Sequence, residues 1–242
     1  MPTGFNALAA ILTAMPLFLH AQDADLCPRL QTLLGRPYVD DAVTDERGRT
    51  VTFSHSDRTL PSPALNCSGF MVEAARRLLG FHGSPLDAAR DRHGDSGPDA
   101  PFGKDWDFGF DLALNLSEGK PHRWITLEGF AEADHDAAQL KGWRFRDRDA
   151  WNRALASFPT GHVGLAVLYR GTKPGQLRFH HVAVVLKDWK GRAWFYQTLP
   201  KGRVYRLELN TPGGFARLCE MFGPGERVVL LDVEAIRSAH SP

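Results

Sequence analysis

Residues 65–80 read LNCSGFMVEAARRLLG. Phe70, Met71, Ala74, Ala75, Leu78 and Leu79 recur at i, i+1, i+4 and i+5, with Glu73, Arg76 and Arg77 between them. That spacing predicts a helix with one buried stripe. Pro63 and Asn66 supply the start signal, and Asn is a good N-cap. Gly80 followed by Phe81 reads as a left-handed stop with an apolar residue behind it. Cys67 therefore falls in the first turn of a helix about thirteen residues long. Free N–H groups and the positive helix end favour thiolate there, so a lowered cysteine pKa is expected. Three roles remain open for Cys67 at this point: a small buried hydrophobe, half of a disulfide, or a nucleophile.

The rest of the chain narrows the setting. Its 242 residues, 43% hydrophobic and 24% charged, fit one large globular domain or a domain with a sizeable insertion. A formal net charge of +1 gives no sign of a nucleic-acid surface or a polybasic membrane anchor. Residues 7–21, ALAAILTAMPLFLHA, carry no charge and are followed by QDAD. This run suits the apolar core of a secretory signal peptide over residues 1–21, with cleavage after Ala21. The run is too short to span a bilayer comfortably, so no stable membrane span is expected after cleavage. A periplasmic or secreted location follows, with residues 22–242 as the mature domain. Of the three cysteines, Cys27, Cys67 and Cys219, one must stay unpaired or reactive in an oxidising compartment. A Cys27–Cys219 bridge would leave Cys67 free; the two alternative pairings stay open.

A nucleophilic cysteine needs a base. In LRFHHVAVVLKDWKGRAWFYQTLP, residues 177–200, HVAVVL reads as a buried strand, DWKG as a turn and RAWFYQTL as the next strand. His181 starts the first strand and Gln197 lies late in the second, so the two can face one another across a hairpin. Cys67 as nucleophile, His181 as proton carrier and Gln197 as the group steering the imidazole make up a cysteine triad. His180 should point to the opposite face. His162 also precedes an apolar strand, in GHVGLAVLY.

Taken in order, these pieces resemble the NlpC-type cysteine peptidases, papain-like enzymes that cut bacterial cell-wall peptides. LGRPYVDD matches at Gly35, Pro37 and Tyr38; NCSGF at Cys67, Ser68, Gly69 and Phe70; FPTGHVGLAVLY at Pro159 and Gly161; HHVAVVL at His181; and WFYQ at Gln197. The resemblance covers roughly residues 28–80 and 150–205. It implies an α+β fold with a papain-like NlpC-type core, the catalytic helix packed on an antiparallel sheet. It also implies that Tyr38 shapes the site beside the sulfur, and that Asn66 and Ser68 lie on the substrate-binding side. His162 becomes a structural residue. Peptidoglycan peptides are the implied substrate, with no metal or organic cofactor. Asn66 departs from the family's usual Asp, which removes a charge where a peptide amine binds.

Residues 81–150 form a large insertion. FHGSPLDAARDRHGDSGPDAPFGKDWDFGFD is punctuated by Gly, Pro and Asp and reads as loops rather than a second core. Asp91, His93, Asp95 and Asp99 match neither an EF-hand nor a zinc spacing, so a solvated acidic loop is expected. Trp106, Phe108 and Phe110 read as anchors pinning the loop to the domain. TDERGRTVTFSHSD suggests an extra hairpin, HRWITLEGF a strand, and DRDAWNRALASF a helix capped at Asp147 or Asp149. Past Gln197, RVYRLEL and RVVLLDV read as strands flanking a short helix near GGFARLCEMF. The leading expectation is an exported cysteine hydrolase of peptide-type amide bonds. The alternatives are an amidase toxin acting on another amide substrate, or a wall-binding protein without catalysis.

Overall fold

The computed structural model describes residues 25–100, 102–132, 136–173 and 176–236. The leader expected at residues 1–21 lies outside them. The architecture is mixed α+β, built around an antiparallel sheet whose two faces are both covered. In chain order the elements begin with α1 (Cys27–Leu30), a 3-10 turn (Gln31–Leu33), β1 (Ala42–Thr44), β2 (Thr50–Thr52) and α2 (Cys67–Leu79). The next stretch holds α3 (Pro85–Ala88), α4 (Phe108–Ser117), β3 (His122–Thr126), β4 (Gly129–Ala131), β5 (Trp143–Arg144) and α5 (Arg148–Ser157). The chain then runs through β6 (His162–Lys173), β7 (Gln176–Lys187), β8 (Ala193–Gln197), β9 (Tyr205–Glu208), α6 (Pro212–Met221) and β10 (Arg227–Glu234).

The large sheet has the order β4-β3-β10-β6-β7-β8-β9, and β5 pairs with β10. β6 and β7 form its spine. Val163, Leu165, Val167, Val182 and Val184 face one core, where α2 contributes Phe70, Met71 and Leu78. Ala166, Leu168, Ala183, Val185 and Phe195 face a second core with Trp151 of α5 and Leu218 of α6. Burial on both faces explains why HVAVVL is continuously apolar in an antiparallel sheet, where alternation is the usual pattern. Truncating one of these contacts, such as Leu78→Ala, would cost roughly 2–5 kcal/mol.

α2 spans the 13 residues the capping signals predict. Asn66 caps it by accepting from the Gly69 N–H at 2.6 Å, and Gly80 ends it at φ 69°. Gly69 answers to a second demand. A Cβ there would sit 2.0 Å from the Ala42 carbonyl oxygen, the same oxygen that accepts from the Asn66 N–H at 3.0 Å. Only a residue without a side chain lets β1 lie this close to the first turn of α2. The β1–β2 hairpin is the one suggested by TDERGRTVTFSHSD. Its turn is held by Asp45, which accepts from the Arg47 and Arg49 backbone N–H groups.

The insertion differs from the loop-rich segment expected. α4 is buried along nearly its whole length, and β3 joins the main sheet by pairing with β10 from Ile125↔Leu230 to His122↔Val233. α4 and Trp124 of β3 feed the first core, and Ile125 of β3 feeds the second, rather than making a new one. The aromatics do pin the segment: Phe110 stacks on Trp124 at 4.7 Å and meets Phe179 at 5.6 Å, and the Phe179 N–H bonds to the Trp106 carbonyl. Asp91, His93 and Asp99 are exposed, as a solvated loop requires, whereas Asp107 and Asp111 behind them are buried.

Candidate active site

The sheet opens where the site forms. β8 pairs with β7 from Lys187↔Ala193 to Val184↔Tyr196 and no further. Past Val184, β7 has no further register partner in β8, and its Phe179 N–H bonds instead to the Trp106 carbonyl. On the other edge, Leu168 pairs with His181 while Tyr169 pairs with Phe179, so His180 is the extra residue of a β-bulge. Bulges of this kind re-aim side chains and recur next to functional sites.

Cys67 reaches this stretch of β7 from the first core, at the head of α2. The backbone N–H groups of Val182, Ser68 and Cys67 itself lie near enough to the sulfur to favour its thiolate, and the Ser68 hydroxyl stands 4.0 Å away. All three cysteines are free thiols, so none of the possible bridges forms. The lowered thiol pKa expected from the helix end does not hold. Burial pushes Cys67 above its ordinary value despite the three N–H groups, because desolvation penalises the thiolate more than they favour it. Cys27 is buried and pushed up to about 12 by the same cause, which leaves it inert.

His181, expected to start its strand, is instead the sixth residue of β7; just past the bulge it turns toward the second core, its ring 5.1 Å from that of Phe222. Its Nε2 lies 3.0 Å from Gln197 Oε1, and Gln197 is fully buried. Burial drives the imidazole down to about 4, with the Gln197 hydrogen bond and the charge of Glu226 opposing that fall. The histidine and the amide are thus in direct contact, and the thiol sits against the residue next to the histidine. Among the described residues no hydrogen bond joins the sulfur to the imidazole.

The remaining expected residues divide. Tyr38 is close enough to Cys67 for the two charges to interact. Its phenol is pushed up to about 12 by burial, by Asp40 and by Cys67, and its hydroxyl donates to Asp40 at 3.1 Å. Backbone bonds from Tyr38 N–H to Gly202 and from Val204 N–H to Arg36 fix this segment beside the β8–β9 loop. Asn66 has its side-chain oxygen committed to the helix cap. Ser68 is buried, with its hydroxyl turned to the sulfur.

The other histidines of these strands have carboxylate partners. His162 Nδ1 lies 2.7 Å from buried Asp232, and His180 Nε2 lies 2.8 Å from buried Glu226. Neither adjoins the thiol in the way Val182 does.

Three residues around Gln197 and His181 had no place in the sequence reading. Tyr205 accepts from Gln197 Nε2 at 2.7 Å. Met221 Sδ stands 2.8 Å from that hydroxyl and 3.4 Å from the same Nε2. Phe222 backs the imidazole. Tyr205 was reachable: it is the registered partner of Gln197 across the β8–β9 pair. Met221 and Phe222 close the end of α6 and carry no local signal of that role.

No helix among the described residues is long and apolar enough to cross a membrane. No group of three or more His, Cys, Asp or Glu side chains among them is placed to hold a metal ion. No family model, curated protein or solved structure matches the chain.

Proposed function

We propose that the chain is an exported cysteine hydrolase that cleaves peptide-type amide bonds, with Cys67, His181 and Gln197 as its catalytic set. The observation that carries this reading is the buried 3.0 Å contact between His181 Nε2 and Gln197 Oε1, one residue from Val182, whose N–H is close enough to favour the Cys67 thiolate. With Nε2 engaged, Nδ1 is the ring nitrogen left to take a proton. As Cys67 Sγ attacks the carbonyl carbon, its proton passes to Nδ1. The N–H of Cys67, already near the sulfur, stabilises the oxyanion. His181 then gives the proton to the leaving amine, and the resulting thioester is hydrolysed by a water that the same nitrogen deprotonates. Gln197, a neutral amide, orients the ring without adding a negative charge.

Both titrating groups are displaced away from the ion pair, so the resting state is thiol and neutral imidazole. The histidine acts as a base during attack rather than storing a preformed thiolate. Peptidoglycan peptides as substrate, the papain-like NlpC-type core and the wall location rest on the motif resemblance, and export rests on the leader pattern of residues 1–21.

The test is to incubate the protein, and a Cys67→Ala control, with purified cell-wall fragments and weigh the products by mass spectrometry. A mass gain of one water per cut, absent in the control, is expected. Cleavage that survives Cys67→Ala refutes the nucleophile. The wall-binding alternative is favoured by one feature, the absence of a direct thiol–imidazole bond among the described residues. Sedimentation with intact walls and no cleavage of any fragment would select it.

A further inference from the structure

The amide of Gln197 can be turned over without changing its shape, and its orientation decides which proton the histidine carries. If Oε1 faces the ring, His181 must donate from Nε2, and Nδ1 keeps a lone pair. If the nitrogen faces the ring, the imidazole must accept at Nε2 and protonate Nδ1, which disables it as a base toward Cys67. Gln197 is fully buried, so the choice falls to its protein neighbours.

Those neighbours are Tyr205 and Met221. A thioether sulfur has no proton and accepts only. Met221 Sδ lies 2.8 Å from the Tyr205 hydroxyl and 3.4 Å from the Gln197 amide end, so both groups facing it must be donors. The single phenolic proton goes to sulfur, and the phenolic oxygen is left to accept from Gln197 at 2.7 Å. Both constraints require nitrogen on this side of the amide. The oxygen then falls at the far end, 3.0 Å from His181 Nε2. Turning the amide over would set its oxygen against the sulfur, acceptor on acceptor, in a place closed to water.

We propose that Tyr205 and Met221 are positioning residues that hold Gln197 in one orientation and thereby keep His181 as the tautomer with Nε2 protonated and Nδ1 basic. The inference rests on the reading of Cys67 and His181 as the reacting pair, but its primary readout does not need catalysis. Met221→Leu keeps the volume and removes the acceptor. Tyr205→Phe keeps the ring and removes the hydroxyl.

With nitrogen-15-labelled histidine, the two ring nitrogens of His181 are distinguished by NMR as protonated or bare, and assigned by comparison with His181→Ala. The wild type should show Nε2 protonated and Nδ1 bare. Each variant should show a mixture, and the double variant a larger share of the opposite tautomer. Thermal unfolding and far-ultraviolet circular dichroism confirm that the fold is kept; if the double variant does not fold, the single Met221→Leu carries the test. For the wall-peptide reaction, kcat should fall in proportion to the lost share of the Nε2–H tautomer, about twofold where half is lost, with KM unchanged, since a base in the wrong tautomer cannot take the proton. An unchanged Nε2–H tautomer in the folded variants, or an Nδ1–H tautomer in the wild type, overturns the proposal. A tautomer shift in the variants with no cleavage by the wild type sustains the positioning role and sinks the amidase reading instead.

Discussion

Asp111→Asn should stabilise the protein at neutral pH and leave it nearly unchanged in acid. Asp111 is buried at 3% exposure. Its Oδ2 accepts from the Arg92 backbone N–H at 2.8 Å, while its Oδ1 has no partner. Burial, helped by the charges of Asp107 and Asp91, raises its pKa from 3.8 to about 7, with the Arg92 bond and His93 pulling the other way. A carboxyl raised on folding binds a proton more tightly in the native state. Stability therefore falls as pH climbs from about 4 to about 7, and is flat beyond. Three units at ~1.4 kcal/mol each set a ceiling of about 4 kcal/mol. Asparagine keeps the Arg92 contact and cannot ionise, so it stands in for the protonated acid. Urea unfolding of both proteins at pH 4, 5, 6, 7 and 8 gives the difference directly. Contributions shared by the two, such as the opposite slope from His181, cancel. The advantage of the variant should be near zero at pH 4 and reach about 2–4 kcal/mol by pH 8. A difference that does not change with pH would falsify the account of a buried, unpaired carboxylate.

Four further outcomes are expected. Because burial drives His181 down to about 4, the base is already neutral above that value. kcat/KM should rise through about pH 4 and then hold level past pH 7, and an acid limb centred near pH 6.5 would mean the ring is not desolvated. Because Cys67 is pushed upward, its alkylation by iodoacetamide should keep accelerating beyond pH 9. A plateau reached by pH 7 would indicate a stored thiolate. Gly69→Ala places a methyl 2.0 Å from the Ala42 oxygen, so β1 or α2 must shift, at a cost of roughly 3 kcal/mol in urea unfolding; a loss under ~1 kcal/mol would show that the contact relaxes freely. His162→Gln weakens the pairing of Asp232 but touches no reacting group. It should lower stability while leaving the cleavage rate within about twofold, since the partner of His162 is Asp232 and not Cys67, His181 or Gln197. A hundredfold rate loss would move His162 into the site.

Elements with one wet side or a clear punctuation mark were readable from sequence. α2 shows a stripe between Asn66 and Gly80, and its 13 residues begin and end where those signals stand. The β7–β8 hairpin is marked by its DWKG turn, closed by Asp188 accepting from Lys190 and Arg192 N–H groups. α4 was missed for a physical reason. It is buried along nearly its whole length between α2 and the sheet, and even its polar Asp111 and Asn115 are buried, so FGFDLALNLS has no wet face to set a helical period. β3 was seen as a strand, but nothing local in HRWITLEGF says that its partner lies about a hundred residues on, in β10.

The site divides along the same line. Cys67 and Gln197 could be named because each sits at a fixed place in its own element, a helix start and a strand end; His181 was expected to start a strand but is the sixth residue of β7, beside its bulge. Their states could not, because a pKa is set by everything packed around a group. The helix-end argument for a low thiol pKa treats Cys67 as if it faced water. In the fold the sulfur is turned into the edge of β7, and the loss of hydration outweighs the N–H groups near it. The same burial neutralises His181. A thiolate beside an imidazolium would place two charges where neither is solvated, and attraction between them offsets that cost only with close, fully bonded geometry. Here Nε2 is held by a neutral amide rather than a carboxylate, so the imidazolium has little to stabilise it. The neutral pair is the consistent ground state, and in the proposed reaction charge appears only during the attack itself. In that proposal Gln197 holds the lone pair of Nδ1 in place before any charge exists, which a hydrogen bond of fixed direction can do and a diffuse electrostatic field cannot.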